Sequence, residues 1–215
     1  MPDRIGSRDR HLPFDLGAGV KGLLLSGGMD SIALAWWLRP EQAITVDYGQ
    51  LAAIAETRTS RQVCEELGIG HTVIEARCPE LGSGDMAGDA PHQLAPVPEW
   101  WPFRNQLLAT LAGMKAVQLG VTELIFGAVR GDGSHADGLP RFFEDLNRLM
   151  SGQEGGLNVT APAIGMSTEE LILKSKVPRS VLAWAHSCHT GELACGDCRG
   201  CYKNAEVIAN VYGDL

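Results

Sequence analysis

Apolar positions along the chain fall into short continuous runs separated by segments with helical spacing. The run from Gly22 to Leu25 is brief, and a helical pattern follows from about Ser31 to Leu38. A second run, AITVDYG, is apolar up to Asp47. It leads into LAAIAETRTSRQVCEELG, where Leu51, Ile54, Ala55, Val63 and Leu67 largely fit a helical period and Gly68 supplies a C-terminal stop. HTVIEA predicts a third strand, NQLLATLAGMKAVQLG a helix closing at Gly120, and ELIFGA a fourth strand. Strands that alternate with helices predict βαβ crossovers and a parallel sheet covered on both faces. The ligand crevice of such a sheet lies at the C-terminal ends of its strands.

Between Ala76 and Phe103 runs a proline- and glycine-containing stretch, long for a structureless connection, which reads as a lid or binding segment. After Met150 the periodicity weakens, and SGQEGGLN reads as a flexible joint. The expected organisation is an N-terminal tail over residues 1–20, an α/β domain over 21–155 and a C-terminal helical region over 156–215.

With 215 residues, 45% of them hydrophobic, the chain can bury a core of its own. Its 26 acidic and 18 basic residues leave a net charge of −8, the wrong sign for broad contact with a phosphate backbone, although a local anion site stays open. MPDRIGSRDRHLPFD is charged and broken by proline, unlike a signal peptide, and no stretch approaches the roughly 18 apolar residues of a membrane span. A cytoplasmic protein with a loosely held first dozen residues is expected.

The strand-to-helix passage LLLSGGMDS concentrates chemistry. Ser26, Gly27, Gly28, Asp30 and Ser31 sit where backbone N–H groups are left without helical partners, so an anion fits there. Paired glycines allow positive φ and close approach of a ligand, and Asp30 implies a Mg²⁺ between itself and any phosphate. For two glycines alone, the plainer reading is a tight turn with Asp30 or Ser31 as N-cap. The whole string SGGMDS, however, resembles the signature of the PP-loop ATP pyrophosphatases, which cleave ATP between its α- and β-phosphates. It lacks the lysine of a Walker A sequence, which favours adenylation over γ-phosphoryl transfer.

Four of the six cysteines fall within CHTGELACGDCRGC. Cys188, Cys195, Cys198 and Cys201 form two overlapping C-x-x-C turns, with Gly196 and Gly200 letting the thiolates converge on one tetrahedral ion. Four sulfur ligands close the coordination sphere, which favours a structural Zn²⁺; an iron–sulfur cluster uses the same donors, and paired cysteines are disfavoured in a cytosolic setting. His186 and His189 flank the cluster and could substitute for a cysteine, but exposed loop histidines are commoner than ligands; Cys64 and Cys78 read as packing residues.

An N-terminal PP-loop followed by a C-terminal four-cysteine knuckle resembles the 7-cyano-7-deazaguanine synthases, the QueC family, through most of the chain. DYGQ (Asp47, Tyr48, Gly49, Gln50) looks like the family's FDYGQ segment near the nucleotide, and WPFRNQ resembles its VPGRN stretch, with Arg104 and Asn105 at the mouth of the third helix. Without that likeness, Arg104 in an ordinary ion pair and Asn105 as a helix cap is an equal reading. GAVRGDGSHADGL is similar to the family segment with an aspartate and a SGYPDC run, aligning Asp132, Ser134 and Asp137. Its tyrosine, proline and cysteine are replaced here by His135, Ala136 and Gly138, and its arginine by Leu139.

The resemblance implies a Rossmann-like fold of the adenine-nucleotide α-hydrolase type with a small zinc-binding C-terminal subdomain. It implies nucleotide contacts from Leu24, Leu25, Ser26, Gly27, Gly28, Met29, Asp30, Ser31, the DYGQ segment, Arg104, Asn105 and Gly127. The deazapurine would meet Asp132, Ser134, His135 and Asp137, and catalysis would rest on Asp30, Arg104 and Asp132. The implied enzyme is a homodimeric ligase that uses ATP, Mg²⁺ and Zn²⁺ to adenylate 7-carboxy-7-deazaguanine and convert it with ammonia to 7-cyano-7-deazaguanine. An alternative hands the activated carboxylate to another amine, one candidate being an amine on a protein in antiviral phage defence, since QueC-like proteins of such systems depart from nitrile synthesis. A tRNA-modifying PP-loop enzyme is disfavoured by the acidic charge. A non-catalytic nucleotide- and zinc-binding module is disfavoured by the intact Asp30.

Overall fold

The computed structural model describes residues 19–131 and 135–213. The tail expected over the first dozen residues lies outside the described residues, as do Asp132 and Ser134. Five parallel strands form one sheet: β1 (Val20–Leu24), β2 (Gln42–Asp47), β3 (Gly70–Glu75), β4 (Val121–Ile125) and β5 (Asn158–Thr160), in the order β3-β2-β1-β4-β5. Seven α-helices are described: α1 (Met29–Leu38), α2 (Ala53–Leu67), α3 (Arg104–Gln118), α4 (Pro140–Ser151), α5 (Thr168–Ser175), α6 (Arg179–Leu182) and α7 (Arg199–Tyr212).

Strand side chains alternate between two apolar clusters, as the pleat requires. Leu23 and Leu25 join α1, α2, α5, α6 and α7 on one face, through Ile32, Val63, Leu171, Leu182 and Val207. Leu124 and Phe126 join α3 and α4 on the other, through Ala109, Ala112, Phe143 and Leu146. Helix α1 buries Ile32, Ala33, Leu34 and Ala35 completely. It packs against both α2 and α5, so it is walled in rather than lying on the surface. Complete burial of a side chain such as Ile32 or Leu34 stabilises the fold by roughly 1.5–3 kcal/mol.

The four strands and three helices expected up to residue 125 are all present. Helix α2 ends as its sequence predicts, with Gly68 at φ 68° and its N–H directed to Cys64 and Glu65 carbonyls. Strand β5 was not foreseen. Three residues are too few to show a two-residue period, and they are held by tertiary partners: β4 alongside, Thr160 Oγ1 donating to Glu123 Oε1 at 2.8 Å, and Val159 N–H donating to Asn147 Oδ1 of α4 at 2.8 Å. Residues on both sides of position 155 therefore share one sheet and both of its apolar clusters. Helix α5 starts with a capping box, Ser167 Oγ accepting from Glu170 N–H and Glu170 Oε2 from Ser167 N–H. Among the described residues, no helix is long and apolar enough to cross a membrane.

Chain order along the sheet reverses between β1 and β4. Their C-terminal ends are where a parallel sheet opens a crevice for ligand.

Candidate active site

A cavity of about 280 Å³ occupies that crevice. Its wall includes the ends of β1 (Leu24, Leu25) and β2 (Thr45, Val46), the segment Phe126–Ala128 after β4, and the glycine turn between β1 and α1. Gly27 has φ 75°, in the left-handed region. A Cβ there would stand 3.0 Å from the Glu56 carbonyl oxygen and 3.1 Å from Thr59 Cβ, so both conformation and space call for glycine. Gly28 is the N-cap of α1 and no side chain caps that end, so the N-cap role considered for Asp30 or Ser31 is not realised. Both residues lie inside the helix with their side chains turned to other partners. Ser31 Oγ donates to the Gly28 carbonyl at 2.9 Å and is 3.3 Å from Ser26 Oγ, while Asp30 Oδ2 lies 3.3 Å from Lys203 Nζ. The first-turn amides of α1, the Ser26 hydroxyl and the Lys203 ammonium thus gather donors at one end of the cavity.

From DYGQ, only Tyr48 lines the cavity. Asp47 Oδ1 accepts from Gly49 N–H at 2.9 Å. Gln50 is buried, accepts from Tyr48 N–H at 3.0 Å and donates to Glu56 Oε2 at 2.7 Å. Asp47, Gly49 and Gln50 shape the loop and are not in the cavity wall. Enclosure pushes the Glu56 carboxyl above its usual range, opposed by the Gln50 bond and by the Arg104 charge. Burial likewise raises the Tyr48 phenol, again opposed by Arg104. The long segment before α3 closes over this loop, with Trp101 buried edge-on against Tyr48 at 4.8 Å between ring centres and Met86 in the cavity wall.

Arg104 lines the cavity, its Nη1 3.2 Å from Met86 Sδ. Asn105 does not cap α3; that helix begins from Phe103, which has φ 54° and is 77% exposed. Its N-terminus is held instead by Asp137. Asn105 N–H donates to Asp137 Oδ2 at 3.1 Å, and Asn105 Nδ2 donates to the Asp137 carbonyl at 2.8 Å. Asp137, expected to meet the deazapurine, therefore carries a structural duty as well, though it and His135 both line the cavity, as does Gly127.

Cys188, Cys195, Cys198 and Cys201 bring their sulfurs within 4.8 Å of one another. Cys195 Sγ and Cys201 Sγ are 3.9 Å apart, and Cys198 Sγ and Cys188 Sγ 4.0 Å. A tetrahedral site with metal–sulfur bonds of about 2.3 Å has edges of about 3.8 Å, so the cluster fits Zn²⁺. Backbone N–H groups of His189, Asp197 and Cys198 donate to these sulfurs at 3.3–3.4 Å. The Thr190 hydroxyl and the amides of Asp197 and Cys198 draw the Cys195 thiol down to about 6, while burial holds Cys201 up to about 12. A bound cation removes that asymmetry by taking all four as thiolates.

Sequence reasoning did not find how this knuckle enters the cavity. His186, Ser187, Cys188, His189, Gly200 and Lys203 all line it. His186 N–H donates to the Gly27 carbonyl at 2.9 Å, and Thr59 Oγ1 to the Trp184 carbonyl at 3.1 Å. Glu99, from the segment before α3, pairs with Arg199 of α7 at 2.9 Å. Lys203 and Asp30 are 173 positions apart, and no local pattern announces such a pair.

Comparison with known proteins agrees with this architecture. The family model described as "Queuosine biosynthesis protein QueC" matches residues 22–211. The 7-cyano-7-deazaguanine synthase of Methanosarcina mazei is 29% identical, covering 87% of this chain and 93% of its own. That of Psychromonas ingrahamii is 30% identical, over 87% and 91%. That of Methanothermobacter thermautotrophicus is 30% identical, over 84% and 90%. The solved NMN synthetase from Francisella tularensis aligns with 92% of this chain and 79% of its own at a TM-score of 0.48 and 17% identity, too slight a likeness to bear on function. With the family match running from β1 almost to the end of α7, the chain belongs to the QueC family.

Proposed function

We propose that this protein is an ATP-dependent ligase that adenylates 7-carboxy-7-deazaguanine and converts it with ammonia to 7-cyano-7-deazaguanine. The observation that carries the reading is the family match combined with a cavity lined by the glycine turn at the sheet's switch point. The substrate carboxylate attacks the α-phosphorus of ATP and the bond to the bridging oxygen breaks, releasing pyrophosphate with that electron pair. Ammonia displaces AMP to give the amide, and a second adenylation of the amide oxygen followed by loss of AMP leaves the nitrile. In both adenylations the chain's work is to align an oxygen with phosphorus and to neutralise charge on the leaving group.

In this reading the amides of the glycine turn with Ser26 and Ser31 hold the phosphates. Asp30 and Asp132 hold Mg²⁺, which supplies charge neutralisation when bound, and Arg104 stabilises developing charge. Asp30 suits that duty, since its carboxylate already attracts a cation, Lys203. Tyr48, Gly127 and the β1 end would flank the nucleotide, with Asp47, Gly49 and Gln50 shaping the loop that carries Tyr48. His135 and Asp137, with Ser134, would face the deazapurine. The knuckle holds a structural Zn²⁺. We place the enzyme in the cytoplasm as a homodimer, a state that light scattering reads directly.

A second reading, transfer of the activated carboxylate to another amine, on a protein in phage defence, draws on His135. It stands in the cavity wall within the segment that departs from the family pattern. One incubation with ATP, 7-carboxy-7-deazaguanine and ammonium, followed by mass spectrometry, separates the two. Nitrile, with AMP released at each adenylation, is expected. Adenylate or amide without nitrile favours the second reading, and absence of both AMP and pyrophosphate overturns both.

A further inference from the structure

The glycine turn contains no lysine, yet a reaction that expels pyrophosphate needs a cation where its charge collects. Among the described residues lining the cavity, the side chains with a permanent positive charge are Arg104 and Lys203. Arg104 stands on the Tyr48 and Met86 side. Lys203 stands at the turn itself, its Nζ 3.3 Å from Asp30 Oδ2, with side-chain exposures of 43% and 19%. The lysine side chain is thus partly open to solvent, while the carboxylate is largely enclosed.

What brings Lys203 there is the cysteine knuckle. Cys198 is the N-cap of α7 and Cys201 lies in its first turn, so a metal bound to both fixes the helix two residues before Lys203. The knuckle is fastened to the turn by His186 N–H on the Gly27 carbonyl, and to the segment before α3 by the Glu99–Arg199 pair. The metal site and the phosphate end of the cavity are one mechanical unit.

We propose that Lys203 is the cation that receives the departing pyrophosphate, held on Asp30 until nucleotide enters and delivered to the turn by the metal knuckle. This rests on the reading that ATP is cleaved between its α- and β-phosphates. When a divalent cation takes its place at Asp30, the Lys203 ammonium turns its N–H groups to the β- and γ-phosphate oxygens. There it opposes the charge left on the bridging oxygen as the bond to the α-phosphorus breaks. The loop lysine of a Walker A sequence is replaced in this chain by one from the far end of the sequence.

Calorimetric titration of magnesium pyrophosphate and, separately, of AMP into the metal-loaded full chain tests this, using wild type, Lys203→Met and Lys203→Arg. A lost charge-assisted hydrogen bond weakens binding by about tenfold to a hundredfold. That loss is expected for pyrophosphate with Lys203→Met, with most affinity kept by Lys203→Arg and AMP affinity alike in all three. Lys203→Gln serves the same comparison if the methionine variant fails to fold. Unchanged pyrophosphate affinity in the neutral variant overturns the proposal, as does equal weakening of pyrophosphate and AMP, which would make Lys203 a support for α7. A wild type that binds neither AMP nor pyrophosphate would instead refute the ligase reading itself.

Discussion

At Phe103 the backbone enters α3 with φ 54°, a left-handed conformation that costs an L-residue with a Cβ roughly 1–2 kcal/mol. The residue is 77% exposed, so little packing offsets that strain. Phe103→Gly is therefore expected to stabilise the protein by about 1 kcal/mol, since glycine takes this conformation freely. A urea unfolding midpoint that stays put or falls would show the ring to be anchored by something more than its exposure suggests. Gly27 is the opposite case, a left-handed position occupied by the residue that suits it. Its role was legible in the sequence because a strand, paired glycines and a helix follow one another within a few residues. The double duty of Asp137 was not legible, because its partner Asn105 lies 32 positions away on another element.

Between elements, His71 joins β3 to β2, with its Nε2 2.9 Å from Thr45 Oγ1. Burial lowers its pKa below 6.5 and the Arg61 charge lowers it further, so the folded state binds a proton less readily than the unfolded one. The stability this group contributes is fully present above the unfolded value of about 6.5 and is lost as pH falls from there through the lowered folded value. Melting temperatures taken from pH 7.5 to pH 5.5 should fall more steeply for wild type than for His71→Gln; parallel curves would remove His71 as the cause. The first four strands and three helices were readable because continuous apolar runs and helical periods extend over enough positions. Strand β5 was not, because three residues carry no period and pair only once β4 and α4 are in place.

Across the whole molecule, the C-terminal knuckle links the last helix to the first turn, so metal loss should be felt globally. A metal present at about a thousandfold over its dissociation constant stabilises by about 4 kcal/mol. In a domain of this size that corresponds to about 8–16 °C of melting temperature. Treatment with a strong chelator should lower the melting point by that order, and Cys198→Ser should melt at the lower temperature and ignore the chelator. A wild type indifferent to the chelator would count against a structural metal. The sequence by itself determined the α/β alternation, the glycine turn and the four-cysteine set, since each is specified by residues close together along the chain. Only the tertiary structure decided that His186 braces Gly27, that Asp137 holds α3 and that Lys203 meets Asp30. Those pairings join residues remote in sequence, and it takes a folded sheet with its helices in place to bring their charges and donors within bonding distance.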